Sequence, residues 1–227
     1  MYTERNGTTY SIDIETVSQG KRANEYTDQK KYKLGNVKDP EKIKEALQKK
    51  KDEERNKHGL SWVTGKICSI AIVDIFGDKE TQCFYGADES EILLKASEYM
   101  SGQKLIGKTS QLFDFPFLVG RYIANGLTVP MSLKSKGLLY DIDNIFGWSS
   151  QSNQRGTLDS YAHGINYKQK PMHGSAVQGL YDTILDASMK GDDVAVKAGW
   201  QQLRDYNIHD CMIVKALALA YYGEGGM

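Results

Sequence analysis

The sequence has few residues of the kinds that cross-link a chain, break it or anchor it in a membrane. Of its 227 residues only three are cysteine and four are proline, and Lys plus Arg equal Asp plus Glu at 29 each. The cysteines lie far apart with no CxxC pair, which excludes a disulfide-rich scaffold and indicates reduced thiols. Zero net charge excludes strong overall attraction to a nucleic-acid backbone, so such binding needs a local patch. No apolar run approaches the roughly 18 residues that cross a bilayer, and no signal-like segment precedes residue 11. We therefore expect a soluble cytoplasmic protein with no membrane partner.

The composition is otherwise that of an ordinary globular protein. The chain is 40% hydrophobic and 26% charged, which is close to the average for such proteins. Its length fits one α/β unit, and it contains neither internal repeats nor low-complexity tracts. We therefore expect a single domain over residues 1–227.

Hydrophobic periodicity predicts a mixture of strands and helices. Alternation of apolar residues predicts the first strand at residues 9–15. Further strands are predicted at residues 65–76, 80–85, 104–107 and 138–142, and helices at residues 90–100, 117–125, 158–163, 176–189 and 193–222. Three strands, then alternating helices and strands, then a helical tail indicate an α/β fold in which helices flank a mixed β-sheet.

A segment from about residue 17 to residue 62 differs in character from the rest. Residues 38–57 are mostly charged, with apolar positions at helical spacing and Pro40 where a helix would begin. We interpret the segment as a charged helical insertion, because it lacks the apolar residues for a core of its own. The lysines at residues 49–51 are either a contact to a phosphate backbone or a solvated helix face.

The last predicted helix carries an acid within its apolar stripe. Asp210 shares helical spacing with Leu203, Tyr206, Ile213 and Leu217, so it should face the core. A buried carboxylate is costly unless it is paired or holds a metal, and the Tyr206 hydroxyl, one turn earlier, can reach the same place. The alternative is that Asp210 lies at the solvent edge of the stripe.

Two more acidic sites each allow two interpretations, one functional and one structural. Asp13 and Glu15 are two residues apart in a predicted strand, so both project from one face, either toward a shared cation or as the solvated face of an edge strand. Asp114 precedes Pro116 near a predicted helix start, where it is either a ligand or a helix cap. The aromatic residues beside it are typical either of a core or of substrate contacts, namely Phe113 and Phe117.

Taken together, these sites predict a metal centre. Four carboxylates, from Asp13, Glu15, Asp114 and Asp210, carry about the charge that two divalent cations balance. Oxygen-only ligands favour Mg²⁺ or Mn²⁺ over zinc. Two such ions ~3.5–4 Å apart can catalyse in-line phosphoryl displacement.

Three motifs resemble those of a known group of enzymes. SIDIET at residues 11–16, FDFPFL at residues 113–118 and YNIHD at residues 206–210 resemble the exonuclease motifs of the DnaQ-like 3′–5′ exonucleases. A tyrosine four residues before the last Asp is similar to the DEDDy branch, which includes the proofreading domains of family B DNA polymerases. Residues 156–165 and 172–177 resemble connecting segments of small phage-type relatives.

The resemblance implies a fold, a mechanism and a set of roles. The fold would be ribonuclease-H-like, and Asp13, Glu15, Asp114 and Asp210 would hold two Mg²⁺ or Mn²⁺ ions that activate a water and stabilise the departing 3′ oxygen. Tyr206 would orient the water, and the product would be a nucleoside 5′-monophosphate. The implied substrate contacts are Thr16, Phe113, Phe117 and Thr109, the last of which stands where family B polymerases usually carry Asn.

The resemblance leaves the substrate and the setting open. The expected substrate is single-stranded DNA at its 3′ end, acted on in the cytoplasm of a bacterium or a phage-infected host, with a possible replication or polymerase partner in trans. One alternative is an RNA 3′ exonuclease, since nothing in the sequence reads the 2′-hydroxyl. Another is a catalytically silent nucleic-acid-binding or adaptor module.

Overall fold

Strand β1 (Thr9–Ser18) lies at the centre of the sheet on which the fold is built. In the computed structural model, which describes residues 8–34, 39–148 and 155–223, the strand order is β3-β2-β1-β4-β5. The other strands are β2 (Gly65–Asp74), β3 (Gln82–Tyr85), β4 (Lys104–Gly107) and β5 (Leu139–Asp141). β1 pairs antiparallel to β2 and parallel to β4, while β3 and β5 extend the sheet antiparallel and parallel, respectively. The predicted mixed sheet is confirmed.

The helices cover both faces of the sheet and connect its strands. They are α1 (Lys21–Gln29), α2 (Pro40–Arg55), α3 (Glu89–Met100), α4 (Asp114–Ala124), α5 (Met131–Lys134), α6 (Ile142–Ile145), α7 (Leu158–Gly164), α8 (Val177–Met189) and α9 (Asp193–Tyr222). The bounds of α9 agree with its predicted range, because its apolar periodicity is unbroken over eight turns. Among the described residues, no helix is both long enough and apolar enough to cross a membrane.

Some predicted bounds were wrong at strand ends, and one predicted helix start was wrong by more than one residue. β1 runs three residues past its predicted end, because a bulge between Glu15 and Thr16 lets pairing with β2 continue. β2, β3 and β5 are each one or two residues shorter than predicted at one end or both. Helix α4 begins at Asp114 rather than at residue 117, because Pro116 is tolerated within a first helical turn. The sequence pattern does not separately predict helices α1, α5 and α6.

The charged segment after β1 is helical, as its pattern indicates. In α2 the Asp39 carboxylate accepts hydrogen bonds from two first-turn amides and no residue is buried. Three ion pairs join this helix to α1 and its C-terminal flank, namely Lys51–Asp28, Arg55–Asp28 and Lys30–Glu54. Of the three lysines at residues 49–51, Lys51 therefore forms an ion pair with Asp28 within this segment. Residues 35–38 of the predicted insertion lie outside the described part of the chain.

The sheet positions one polar region at the end of its parallel strands. The pairing of β1 with β4 ends at Ser11, so β1 continues past β4 and β5 with Asp13 and Glu15 in the extension. Helix α9 packs against β1 and β2 and buries Leu203, Ile213 and Leu217 there. Open α/β sheets bind ligands at the carboxyl ends of parallel strands, and both acids lie at that end.

Candidate metal centre

Two acids of the site come from the central strand. Side chains alternate along a strand, so Asp13 and Glu15 project from the same face of β1, toward α9. Both are half-buried. β1 has a partner strand on each side, so the alternative interpretation of these acids as the solvated face of an edge strand is wrong.

The third acid arrives on α9. Asp210 is only 4% exposed, among buried neighbours on its stripe, which excludes the alternative position at a solvent edge. One carboxylate oxygen from each of Asp13, Glu15 and Asp210 lies within 4.8 Å of the other two. Asp210 Oδ1 is buried and has no hydrogen-bond partner, a costly state for a carboxylate oxygen that a bound cation would relieve.

Burial and mutual repulsion both oppose ionisation of these acids. Loss of solvation raises the pKa of Asp13 well above its ordinary value, and the neighbouring charge of Asp210 raises it further. The pKa of Glu15 is raised for the same two reasons. Burial also raises the pKa of Asp210, although the positive charge of Lys170 opposes that shift. A divalent cation offsets both penalties, because it replaces lost water and balances the charge.

Asp114 lies near this cluster without joining it. It is 5% exposed, and its charge contributes to the raised pKa of Asp13 and of Glu15. None of its oxygens belongs to the group of mutually close ligand atoms found among the described residues. Burial raises its own pKa to about 7. Phe113 holds the N-cap position of α4 and makes no side-chain cap, so the interpretation of Asp114 as a helix cap is wrong.

Tyr206 lies one helical turn before Asp210 and is 3% exposed. Burial, and next the charge of Glu15, raises the pKa of its phenol far above the usual value. The phenol therefore stays protonated at neutral pH, and it can donate a hydrogen bond but cannot act as a base.

Two polar residues that were not predicted from the sequence complete the site. Lys170 donates from Nζ to Asp210 Oδ2 at 2.5 Å, and both side chains are largely buried. Its ammonium also lies 5.3 Å from the centroid of the Tyr206 ring. Lys170 lies in a loop, 40 residues from Asp210, and no local pattern could have revealed it.

Asn207 is the second of these residues and is fully buried. Its Nδ2 donates to Asp13 Oδ2 at 2.6 Å, and its Oδ1 accepts a hydrogen bond from the Ser69 hydroxyl at 2.7 Å. The amide thereby orients the Asp13 carboxylate through a partner on β2. Its position three residues before Asp210, on the same helix face, is a signal that could have identified it.

A further acid lies close to this region on α7. Asp159 Oδ1 is buried without a hydrogen-bond partner. The charge of Asp159 contributes to the raised pKa of Tyr206 and of Asp210. It adds negative charge near the α9 side of the site.

The predicted substrate contacts occupy varied environments. Thr16 is half-buried and donates from Oγ1 to the Gly59 carbonyl at 2.6 Å. Thr109 has a φ of 62°, which is uncommon for a residue other than glycine, and its hydroxyl accepts from Lys108 Nζ at 3.0 Å. Phe117 is part of the core and Phe113 packs against it. Their contact with substrate stays a prediction.

The donor set fits a hard divalent cation. The group consists only of carboxylates, which are the ligands that Mg²⁺ and Mn²⁺ prefer. Asp210 Oδ1 is an orphaned buried acceptor within it. The structure thus brings together three acids that could hold a metal ion.

Comparison with known proteins identifies the fold and leaves the family open. No known protein family matches the chain, and no curated protein does either. Among solved structures it is similar to the family B DNA polymerase from the hyperthermophilic archaeon Pyrobaculum calidifontis, with a TM-score of 0.54 and 13% sequence identity. The match covers 95% of this chain and 25% of that polymerase, so this chain spans about a quarter of its length. The predicted fold class is confirmed as α/β, with a five-stranded mixed sheet flanked by helices, consistent with a ribonuclease-H-like fold.

Proposed function

We propose that this protein is a metal-dependent 3′–5′ exonuclease of the DEDDy type that hydrolyses the terminal phosphodiester bond of single-stranded DNA. The observation that carries the proposal is the convergence of Asp13, Glu15 and Asp210, from β1 and α9, with a buried oxygen that lacks a partner. The similarity to a family B DNA polymerase supports it, because the three motifs resemble those of proofreading domains from such polymerases.

The roles follow from where each side chain lies. Asp13, Glu15 and Asp210 would hold Mg²⁺ or Mn²⁺, and Asp114, which is also buried, would complete the ligand set for a second ion. When bound, the two ions lower the pKa of water and balance the negative charge of the reacting phosphate.

The neighbouring residues position these ligands and the substrate. Asn207 fixes the orientation of Asp13, and Lys170 supplies positive charge at Asp210. Tyr206 donates a hydrogen bond from its protonated phenol and so orients the attacking water. Thr16 and Thr109 contact the terminal nucleotides, and the product is a nucleoside 5′-monophosphate.

The experiment that tests the proposal is cleavage of a 5′-labelled single-stranded oligonucleotide. The DNA and its RNA counterpart are incubated with the protein in Mg²⁺, in Mn²⁺ and in EDTA. We expect a ladder that shortens from the 3′ end, requires metal and is faster on DNA. A faster ladder on RNA would assign the protein to RNA 3′ exonucleases instead.

Matched variants connect the activity to the site. Asp13→Ala should abolish cleavage, while Asp78→Ala, which alters an exposed Asp-x-Glu acid in the loop after β2, should leave it intact. Calorimetry with Mn²⁺ separates an enzyme from a silent module, because wild type should take up Mn²⁺ and Asp13→Ala should not. If the folded protein with metal bound cuts neither nucleic acid, the proposal fails. The protein would then be a catalytically silent adaptor module, or it would need a polymerase partner in trans.

A further inference from the structure

The start of helix α1 presents unpaired backbone donors. Gly20, with φ 63°, turns the chain from β1 into this nine-residue helix, and it offers no side chain to cap it. Within the described residues, the amides of Lys21, Arg22 and Ala23 have no acceptor. Free first-turn amides and the helix dipole place partial positive charge there, an arrangement that favours anions.

A cavity of about 420 Å³ adjoins this helix start. Its lining includes Gly20, just before α1, Arg22 on α1, Lys66 at the start of β2, and Tyr181 on α8. Its wall draws residues from six elements of the fold, because β1, α3 and α4 also contribute to it. The space is large enough for a phosphate group together with part of a nucleotide.

Tyr181 supplies an independent sign that the cavity takes a ligand. Its side chain is 2% exposed, and its hydroxyl has no hydrogen-bond partner. A buried hydroxyl without a partner costs free energy. A phosphate oxygen in the cavity would accept a hydrogen bond from this hydroxyl and so remove that cost.

The charge lining the cavity is positive on balance. Arg22 forms no ion pair within the described part of the chain, and the Lys66 ammonium donates to the Ala87 carbonyl at 3.3 Å and lies 5.0 Å from the Tyr181 ring centroid. Arg121 also lines the wall but is neutralised by Glu89 at 2.6 Å. The Asp182 carboxylate is exposed and accepts a hydrogen bond from the Gln178 amide.

We infer that this cavity is a phosphate-binding site, formed by the α1 amides, Arg22, Lys66 and the Tyr181 hydroxyl. Ser18, which also lines the cavity, lies three residues beyond Glu15 on β1, or ~10 Å along that β-strand. At that distance, the cavity can hold a backbone phosphate of the same nucleic-acid strand whose 3′ end lies at the acidic cluster. The assignment of this phosphate to a nucleic-acid strand rests on the proposed function. The inference that the cavity binds phosphate does not rest on it, and free inorganic phosphate is the alternative source.

The test combines a variant, a matched control and two probes. Arg22→Gln with Lys66→Gln removes the two cations, and Lys95→Gln with Lys190→Gln removes the same charge from exposed helix pairs elsewhere. Inorganic phosphate is titrated in EDTA while the backbone amide NMR signals of residues 20–23 are followed. We expect these signals to shift in wild type and in the control pair, and not in the cavity pair.

Tyr181→Phe keeps the packing and removes only the hydroxyl, so it should weaken phosphate binding severalfold. This single variant keeps the test decisive if the double variant fails to fold. Absence of amide shifts in wild type at tens of millimolar phosphate, or equal losses in both double variants, would overturn the assignment.

The second probe identifies the source of the phosphate. A labelled single-stranded oligodeoxynucleotide is bound in EDTA, where no cleavage is expected, over a range of salt concentrations. If the strand supplies the phosphate, the cavity pair should bind about tenfold more weakly, and its slope of log affinity against log salt should fall by about 0.7. Unchanged oligonucleotide binding with lost phosphate binding would assign the site to free phosphate. Neither result depends on turnover, so failure of the exonuclease proposal would be seen separately.

Discussion

Replacing Lys170 with methionine removes a positive charge from the acidic site at almost constant volume. The Lys170–Asp210 pair is buried, with side chains 13% and 6% exposed. Breaking such a pair by removing one partner typically costs 3–5 kcal/mol, since a charge is left buried without compensation. The same change at Lys95, whose pair with Glu91 is exposed on helix α3, should cost about 0.5 kcal/mol or less.

The cost at Lys170 should depend strongly on pH, because Asp210 can escape by taking up a proton. Protonating a carboxyl of ordinary pKa costs about 1.36 kcal/mol for each pH unit above ~3.9. This cost is an upper bound on the stability lost without Lys170, and it is about 1.5 kcal/mol at pH 5 and about 6 kcal/mol at pH 8. We therefore expect Lys170→Met to lose 3–5 kcal/mol at pH 8 and no more than about 1.5 kcal/mol at pH 5.

Urea unfolding in EDTA measures this difference directly. Wild type, Lys170→Met and Lys95→Met are compared at pH 5 and pH 8, and again with Mn²⁺. Added Mn²⁺ should restore much of the stability of Lys170→Met at pH 8, because the ion takes over the balancing of Asp210. A loss of stability that is equal for the two variants, or the same at both pH values, would show that Lys170 does not balance the charge of Asp210.

Four further expectations follow from the site. Asp210→Asn should abolish turnover while circular dichroism shows the protein folded, because it removes a ligand charge at constant volume; substantial residual activity would mean that Asp210 is not a ligand. Tyr206→Phe should lower kcat less than loss of any acid does, since it removes one hydrogen bond and no ligand charge. A larger drop than in the acid variants, measured in single-turnover rates, would contradict this role for Tyr206. Asn207→Leu should cost about 1–3 kcal/mol in urea unfolding, because Ser69 loses its partner, and should weaken Mn²⁺ binding about 10–100-fold by calorimetry. The pKa of Asp114 is raised to about 7, so the folded state binds the extra proton and metal-free stability should fall as pH rises from about 4 to about 7; in EDTA at pH 8, Asp114→Asn should therefore melt higher than wild type, and an unchanged Tm would contradict the burial argument.

The elements that carry the site could be predicted because their signals are local. The alternation before Glu15 predicts β1, and the 3.6-residue stripe through Tyr206, Asp210 and Ile213 predicts α9. Each pattern reports which side chains share a face. The acids that lie closest together could therefore be named from two short stretches of sequence.

What those patterns leave open is which faces meet. The same patterns also fit Asp13 on the solvated face of an edge strand and Asp210 at a solvent edge. The central place of β1 in the sheet and the packing of α9 across it remove both alternatives. Strand order depends on contacts between residues far apart in sequence, which periodicity does not contain.

Periodicities of two and 3.6 residues suffice to predict the five strands, most of the helices, the α/β class and the acidic residues of one strand and one helix. The tertiary structure alone decided that Lys170 neutralises Asp210, that Asn207 orients Asp13, and that Asp114 stands beside the cluster rather than within it. It also decided that the start of α1 faces a cavity lined by Lys66 and Tyr181. The physical reason is that charge, burial and hydrogen bonding act through distance in space, and only the folded chain brings residues 13, 170 and 210 within reach of one another.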